Sequence, residues 1–180
     1  MHHQEIISLL KERHGSFARY IESLTADEFL YRYQDKWTAG EQLEHIYLAV
    51  RPVDLAFKLP KMLIRIVFGK ANKPGKTYDE LVKKYKHVLE TGGKASRPFI
   101  PRTVRIDQKE KIIKALDKKV NTLCSGVEMS TEQELDTLML PHPLLGKITM
   151  REMLNFTIYH VGHHHDLVKR NLEQRNSTET

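Results

Sequence analysis

Apolar residues recur at spacings of three and four along most of the chain, and this helical period constrains the fold more than any other feature. In the first segment, Ile6, Leu10, Phe17 and Ile21 fall on one face of a helix. A Thr followed three residues later by Glu forms a capping box, which marks where a helix begins. Such boxes start at Thr25, Thr38 and Thr149. The pattern predicts an all-α protein, a bundle of four main helices with short accessory ones.

Helix-breaking residues divide this pattern into segments. Pro52 lacks an N–H and should kink or restart the helix that begins after Thr38. Gly92 and Gly93 should end another helix, and residues 94–105 read as an extended loop. We find no pair of strands with alternating polarity joined by a hairpin turn, so no β-structure is predicted.

The length and composition indicate one soluble domain. The chain has 180 residues, which is the usual size of a single domain, and we assign residues 1–172 to it and 173–180 to a polar tail. The single cysteine, Cys124, excludes an internal disulfide and a cysteine-based zinc cluster. The N-terminal segment does not resemble a secretory signal, and no apolar run reaches the ~20 residues of a membrane span. We therefore expect a cytoplasmic protein.

The formal net charge of +6 raises the alternative of nucleic-acid binding. Basic residues outnumber acidic ones in 58–86 and again in 94–119, but no helix-turn-helix, zinc finger or interleaving of aromatic and basic residues accompanies them. Nucleic-acid binding is therefore the less favoured interpretation. The basic and apolar segment 58–70 fits a membrane surface, packing on the bundle beside a pocket, or a homodimer contact.

Histidine is the other unusual feature, with ten in the chain and four of them between residues 160 and 165. His160 and His164 are four residues apart, so their rings lie one turn apart on the apolar face of the last helix. Such a pair either holds a metal ion or forms part of the core. Val161 follows His160, so the Glu of the H-E-x-x-H metalloprotease motif is missing and a third ligand must come from elsewhere.

His45 is the best candidate for that third ligand. On the helix after Thr38 it lies with Ala49 and Ala56, roughly opposite the arc of charged residues. The same position also suits a histidine at the boundary of a wide apolar face, and the helical wheel does not decide between the two.

Two stretches of the chain resemble the DinB/YfiT-like metalloenzymes. The first is 37–45, Trp-Thr-Ala-Gly-Glu-Gln-Leu-Glu-His, and the second is 141–154, which leads into His160 and His164. The resemblance implies a four-helix bundle with up-down-down-up connectivity and a metal at one end, bound by His45, His160 and His164. Many members have Arg-Gly-Gln after the last ligand, whereas this chain has His-Asp-Leu at 165–167, so substrate contacts there are not carried over.

The resemblance also implies a chemistry. One divalent ion (zinc, nickel, iron or manganese) would activate a thiolate or a water, as in thiol S-transferases or hydrolases acting on a small molecule, including a low-molecular-weight thiol. His14, His142 and His163 are candidates for orienting a ligand or relaying a proton near that ion. The alternative is a non-catalytic stress-response or binding bundle without a metal.

Overall fold

Eight α-helices and one β-hairpin make up most of the computed structural model, which describes residues 1–178, with side chains through 175. The elements are α1 (His3–Ser23), α2 (Ala26–Leu30), α3 (Ala39–Lys58), α4 (Lys61–Phe68), α5 (Tyr78–Glu90), α6 (Lys109–Glu128), α7 (Glu132–Thr137), β1 (Met139–His142), β2 (Gly146–Thr149) and α8 (Met150–Thr178). The four long helices α1, α3, α6 and α8 form the predicted bundle.

The capping boxes predicted from the sequence are formed. At the start of α3, Thr38 Oγ1 accepts the Glu41 N–H at 3.1 Å, and the Glu41 carboxylate accepts the Thr38 N–H at 2.9 Å. The same reciprocal pair begins α2 at Thr25 and α8 at Thr149. These bonds satisfy N–H groups that have no partner within the helix, and so they define where each helix begins.

Contacts between the ends of α1 and α6 show that these helices are antiparallel. Lys109, at the start of α6, donates to the carbonyl of Leu24 just after the end of α1, at 2.7 Å. At the opposite end, Gln4 donates to the carboxylate of Glu128 at 2.8 Å.

Corresponding contacts give the directions of the other two helices. Asp54, late in α3, accepts a hydrogen bond from Thr122, late in α6, at 2.6 Å, so α3 and α6 are parallel. Arg151, early in α8, donates to the Met1 carbonyl at 2.7 Å, while the His165 ring lies near the α1 ring of Phe17. α8 is therefore parallel to α1, and the order is up-down-down-up as expected.

Helix α3 continues through Pro52, so the predicted restart is wrong, and a kink at Pro52 stays a prediction. Pro52 is itself exposed, but Val50, Val53 and Phe57 on either side are buried in the core. Burial of this face outweighs the ~3 kcal/mol that a proline costs inside a helix.

The prediction of no β-structure is also wrong, because β1 and β2 form an antiparallel hairpin. Leu140 pairs with Ile148 and His142 with Gly146, whose φ of +77° suits glycine at the turn. Each strand has only four residues, and Pro141 interrupts the first, so no alternating pattern is visible in the sequence. Backbone contacts to residues 69–71 and to the start of α8 hold the hairpin in place.

Helix α8 continues to Thr178, beyond the end expected near Leu172. Residues 173–178 contain neither Gly nor Pro and begin with the good helix formers Glu, Gln and Arg, so nothing local ends the helix earlier. The predicted polar tail thus coincides with the last turns of α8, except for residues 179–180, which lie outside the described part of the chain.

The short helix α4 packs on the bundle by one side. Ile64 is fully buried, whereas Met62, Ile66 and Val67 are exposed, so the apolar segment 58–70 is only partly covered. A homodimer contact through this face stays a prediction. Across residues 1–178, none of the helices combines the length and apolar character that crossing a bilayer requires.

Candidate metal centre

Three buried imidazoles, from His45 on α3 and from His160 and His164 on α8, meet inside the bundle. His45 lies in the second turn of α3, which faces the middle of α8, where His160 and His164 lie. His160 Nε2 lies 3.2 Å from His45 Nε2 and 3.0 Å from His164 Nε2. One nitrogen from each ring lies within 4.8 Å of the other two. The structure therefore brings together all three of the ligands expected from the sequence.

Hydrogen bonds orient two of the rings. The Nδ1–H of His45 donates to the backbone carbonyl of Phe99 at 2.6 Å, and the Nδ1–H of His164 donates to the side-chain oxygen of Gln42. Both partners are acceptors, so each ring carries its hydrogen on Nδ1 and directs an Nε2 lone pair towards His160. Metal-binding histidines are held in this way by carbonyl and carboxylate groups.

In this arrangement the three rings have too few hydrogens to form a hydrogen bond in both of the close nitrogen–nitrogen contacts. His160 can carry one hydrogen on Nε2 and donate it well to only one of its two neighbours, which leaves a lone pair facing a lone pair on the other side. A divalent cation removes that repulsion. Tetrahedral metal–nitrogen bonds of 2.0–2.1 Å place ligand nitrogens roughly 3.3 Å apart, close to the separations observed. The three residues fit a metal ion.

The electrostatics keep the rings in the form that binds metals. Burial lowers the pKa of His160 and of His164 well below 6.5, and the neighbouring imidazoles lower both further. Burial also lowers the pKa of His45, although its hydrogen bond to Phe99 acts in the opposite direction. At neutral pH all three rings are uncharged, and a neutral imidazole nitrogen is the one that ligates.

The three imidazoles line a cavity of about 380 Å³. Its other walls are mostly apolar and come from α3, α8, the hairpin and the loop after α5. Among the described residues that line it there is no Asp or Glu, and Lys94, at the surface, is the one lysine or arginine. A small molecule in this cavity would therefore lie beside the three imidazoles, surrounded by mostly apolar walls.

His14 of α1 also lines this cavity and is 3% exposed. Its Nδ1–H donates to the Leu10 carbonyl at 2.8 Å, one turn earlier in the helix. Its Nε2 is buried and has no hydrogen-bond partner within the described structure. Burial lowers the pKa of His14 to about 4, so the ring is neutral and Nε2 is a free acceptor.

His142, in the hairpin, has the opposite hydrogen-bonding character. Its Nδ1 accepts the backbone N–H groups of Leu144 and Leu145, both at 3.1 Å, so the ring hydrogen is on Nε2. Burial and the nearby Lys84 cation lower the pKa of His142 to about 4, and the neutral ring remains a donor. His142 therefore contributes a donor to the cavity wall.

His163 lies between the cavity and a second cleft on the surface. It is half-buried, and burial followed by the nearby Arg170 lowers its pKa. All three histidines that the sequence suggested as auxiliary residues thus border the cavity, although only His14 and His142 are well buried.

Two residues beside the triad were not expected from the sequence. Gln42 lies one turn before His45 on α3, and this spacing, together with the position on the buried face, could have suggested it. The Phe99 carbonyl belongs to a short 3₁₀ turn, Arg97–Phe99, inside the segment predicted as an extended loop. A backbone oxygen supplied by a loop leaves no signal in side-chain patterns.

Comparison with known proteins gives one family and one fold. The sequence model described as the DinB superfamily matches residues 9–168. The solved structure of YfiT from Bacillus subtilis, described as "a probable metal-dependent hydrolase with an unusual four-helix bundle topology", is 16% identical and aligns with a TM-score of 0.63 over 97% of this chain and 87% of that one. At that identity the likeness concerns the fold. A comparison with curated protein sequences gives no significant match.

Proposed function

The chain belongs to the DinB superfamily, and on that premise we propose that it is a metal-dependent enzyme, a hydrolase of a small molecule, with His45, His160 and His164 as the metal ligands. One observation carries the proposal: three neutral imidazoles converge on a point beside an apolar cavity, with two of their tautomers held by Phe99 and Gln42.

Held by His45, His160 and His164, a divalent ion would supply Lewis-acid chemistry and would lower the pKa of a nearby water to about 7. The protein's own residues supply the rest. Apolar walls limit the access of bulk water, and this strengthens electrostatic interactions inside the cavity. His142 offers its Nε2–H to a substrate oxygen, and His14 offers a neutral acceptor for a proton donor.

The description of YfiT as a probable metal-dependent hydrolase supports water as the nucleophile. A thiol S-transferase is the second candidate, and the lack of any Asp or Glu among the described cavity residues favours it. A thiol ionises near pH 8.5 and needs no carboxylate base once a metal lowers that pKa further, whereas water depends more on a base. Because Cys124 is buried and does not line the cavity, such a thiolate would arrive with the substrate.

The metal is tested by elemental analysis of tag-free protein. We expect one divalent ion per chain in the wild type, and less than about a tenth of that in His45→Ala, His160→Ala and His164→Ala, because two imidazoles bind far more weakly than three. His87→Ala removes an exposed histidine of α5 and should retain the ion. A wild type that stays free of metal after loading with zinc, nickel, iron or manganese contradicts the proposal and favours the non-catalytic binding bundle.

The reaction is tested on the metal-loaded protein. A hydrolase should release 4-nitrophenol from 4-nitrophenyl esters without an added thiol, and His160→Ala should lose that release. A thiol transferase should instead require cysteine or another small thiol, and should join it to an electrophile such as 1-chloro-2,4-dinitrobenzene. Metal-loaded protein that does neither contradicts both enzyme classes for these substrates.

A further inference from the structure

The side chains that line the cavity beside the triad determine which kind of molecule can occupy it. Beyond the histidines, the lining is dominated by side chains such as Ala49, Val53, Ala56, Leu140 and Phe156. In the metal-free protein a charged ligand would lose its hydration there without gaining an ion pair from the walls, since Lys94 at the surface is the one charged side chain among the described lining residues. The space of about 380 Å³ lies in the range of pockets that hold a small organic molecule.

His14 is one of the lining residues, and its buried Nε2 is an acceptor without a hydrogen-bond partner in the described structure. Its other nitrogen is occupied by the Leu10 carbonyl, so the ring cannot rotate to find a partner without breaking that bond. An unpaired buried acceptor is unfavourable, because it has lost its hydrogen bonds to water and gained none in the protein. A ligand that donates a hydrogen bond to this nitrogen recovers that free energy, and a ligand without a donor does not.

His14 is also near the proposed metal ligands without belonging to them. It lines the same cavity as His45, His160 and His164, but it lies outside the group of three nitrogens that approach within 4.8 Å. A group held by His14 is therefore positioned beside the triad.

From these contacts we propose that the cavity binds an uncharged, predominantly apolar molecule that carries one hydrogen-bond donor, a hydroxyl or N–H, which His14 Nε2 accepts. The inference rests on the proposed function in taking this molecule as the substrate class, and His14 is then a substrate-binding residue that selects for the donor.

The test uses metal-free protein and the fluorescent probe N-phenyl-1-naphthylamine, which is neutral, apolar and has one N–H. Wild-type protein should bind the probe. Ala49→Phe should weaken this binding at least about tenfold, because the added ring occupies the cavity. Ala56→Leu is a smaller filling change in case the first variant does not fold. Ala115→Phe, at a half-buried alanine of α6 that does not line the cavity, should leave the affinity unchanged.

The role of His14 is tested by competition against the probe with 1-octanol and heptyl methyl ether. These molecules have the same number of heavy atoms, but only the alcohol donates a hydrogen bond. The ratio of their affinities should fall about fivefold in His14→Phe relative to the wild type, as expected for one neutral hydrogen bond. Octanoate should compete at least about tenfold more weakly than 1-octanol, because its carboxylate must be desolvated.

Three results overturn the inference. The first is an unchanged affinity for the probe in folded Ala49→Phe and Ala56→Leu. The second is an equal loss of affinity for the alcohol and for the ether in His14→Phe. The third is competition by octanoate that is as strong as competition by 1-octanol. His14→Phe should also retain zinc, and loss of zinc would assign His14 to the metal instead. Because the competition needs no metal, it can fail while zinc binding succeeds, or succeed while zinc binding fails, so the two proposals are judged separately.

Discussion

At the scale of single residues, the chemistry of each imidazole at the site depends on the hydrogen bond that its Nδ1 makes. Phe99 and Gln42 accept the Nδ1 hydrogens of His45 and His164, and this leaves both Nε2 lone pairs for an ion. The Leu10 carbonyl has the same effect on His14, and the backbone amides after His142 have the reverse effect. Chemically identical side chains therefore become candidate metal ligands, an acceptor and a donor.

Gln42→Leu should lower zinc affinity by roughly 10- to 100-fold while the chain stays folded. Leucine fills a similar volume, but it cannot accept the His164 hydrogen, so the ring is free to change tautomer and to rotate. Zinc affinity is measured by competition with a chromophoric chelator. Gln133→Leu, at an exposed glutamine of α7, is the matched control. Equal zinc affinity in Gln42→Leu and the wild type would show that Gln42 does not orient the ligand.

His14 should make the metal-free protein less stable in acid. Its pKa is about 4 in the folded chain and 6.5 in the unfolded one, so between these values only the unfolded state binds the proton. The free energy of unfolding then falls by ~1.4 kcal/mol per pH unit, or about 3 kcal/mol over the interval.

Denaturant titrations with a chelator present, from pH 7 to pH 4, measure this dependence. His14→Phe should lose less stability than the wild type over that range, whereas the surface variant His87→Phe should follow the wild type. Parallel curves for His14→Phe and the wild type would contradict the lowered pKa.

At the scale of the elements, one buried carboxylate joins α3 to α6. Asp54 is fully buried and accepts hydrogen bonds from Lys58 at 2.7 Å, Lys119 at 2.8 Å and Thr122 at 2.6 Å. Burial alone would raise the pKa of Asp54, but these hydrogen bonds outweigh it and lower the pKa below 3.8. The carboxylate thus holds the ends of the two parallel helices together.

Asp54→Asn should reduce the free energy of unfolding at pH 7 by about 2 kcal/mol, because a neutral amide makes weaker bonds to the two lysines. Since the folded pKa of Asp54 is lowered, its contribution is present above pH 4 and is lost as the pH falls through the folded value. The deficit of the variant should therefore narrow in acid. Denaturant unfolding gives both numbers, with exposed Asp35→Asn as the control. A deficit that is absent at pH 7 would mean that Asp54 does not stabilise the α3–α6 contact.

The elements also differ in how well the sequence predicted them. Each capping box joins residues three apart, so Thr25, Thr38 and Thr149 were identified without knowledge of the rest of the chain. The hairpin was missed because its short strands are held by distant segments, as where the Met139 N–H donates to the Gly69 carbonyl at 3.3 Å. The restart at Pro52 was wrongly predicted for the same reason, since the burial that keeps α3 continuous comes from other helices.

At the scale of the whole molecule, the triad joins the second and last helices of the bundle across 115 residues of chain. An ion held there binds the folded state and not the unfolded one, so metal binding and stability are coupled. The apolar cavity interrupts the core at the same place, so the side chains around the triad are not close-packed on that side.

Zinc should therefore raise the melting temperature of the wild type. At a free zinc concentration 100 times the dissociation constant, the stabilisation is about 2.7 kcal/mol, or about 5–10 °C for a domain of this size. Differential scanning calorimetry with and without a chelator measures the shift. His160→Ala, which lacks a ligand, should show none, and an equal shift in this variant would place the zinc elsewhere.

The sequence by itself determined the main helices, the starting points of α2, α3 and α8, and the pair of imidazoles on one face of α8, because hydrogen bonds and side-chain periodicity within a helix involve neighbours in the chain. The helical wheel made His45 the best candidate for their partner, and the resemblance to the DinB/YfiT-like metalloenzymes implied the same residue. Only the tertiary structure decided that Phe99 and Gln42 hold the tautomers, that His14 is left without a partner and that the cavity is apolar. These features arise where segments distant in sequence pack together, and which groups meet there depends on long-range burial that no local pattern records.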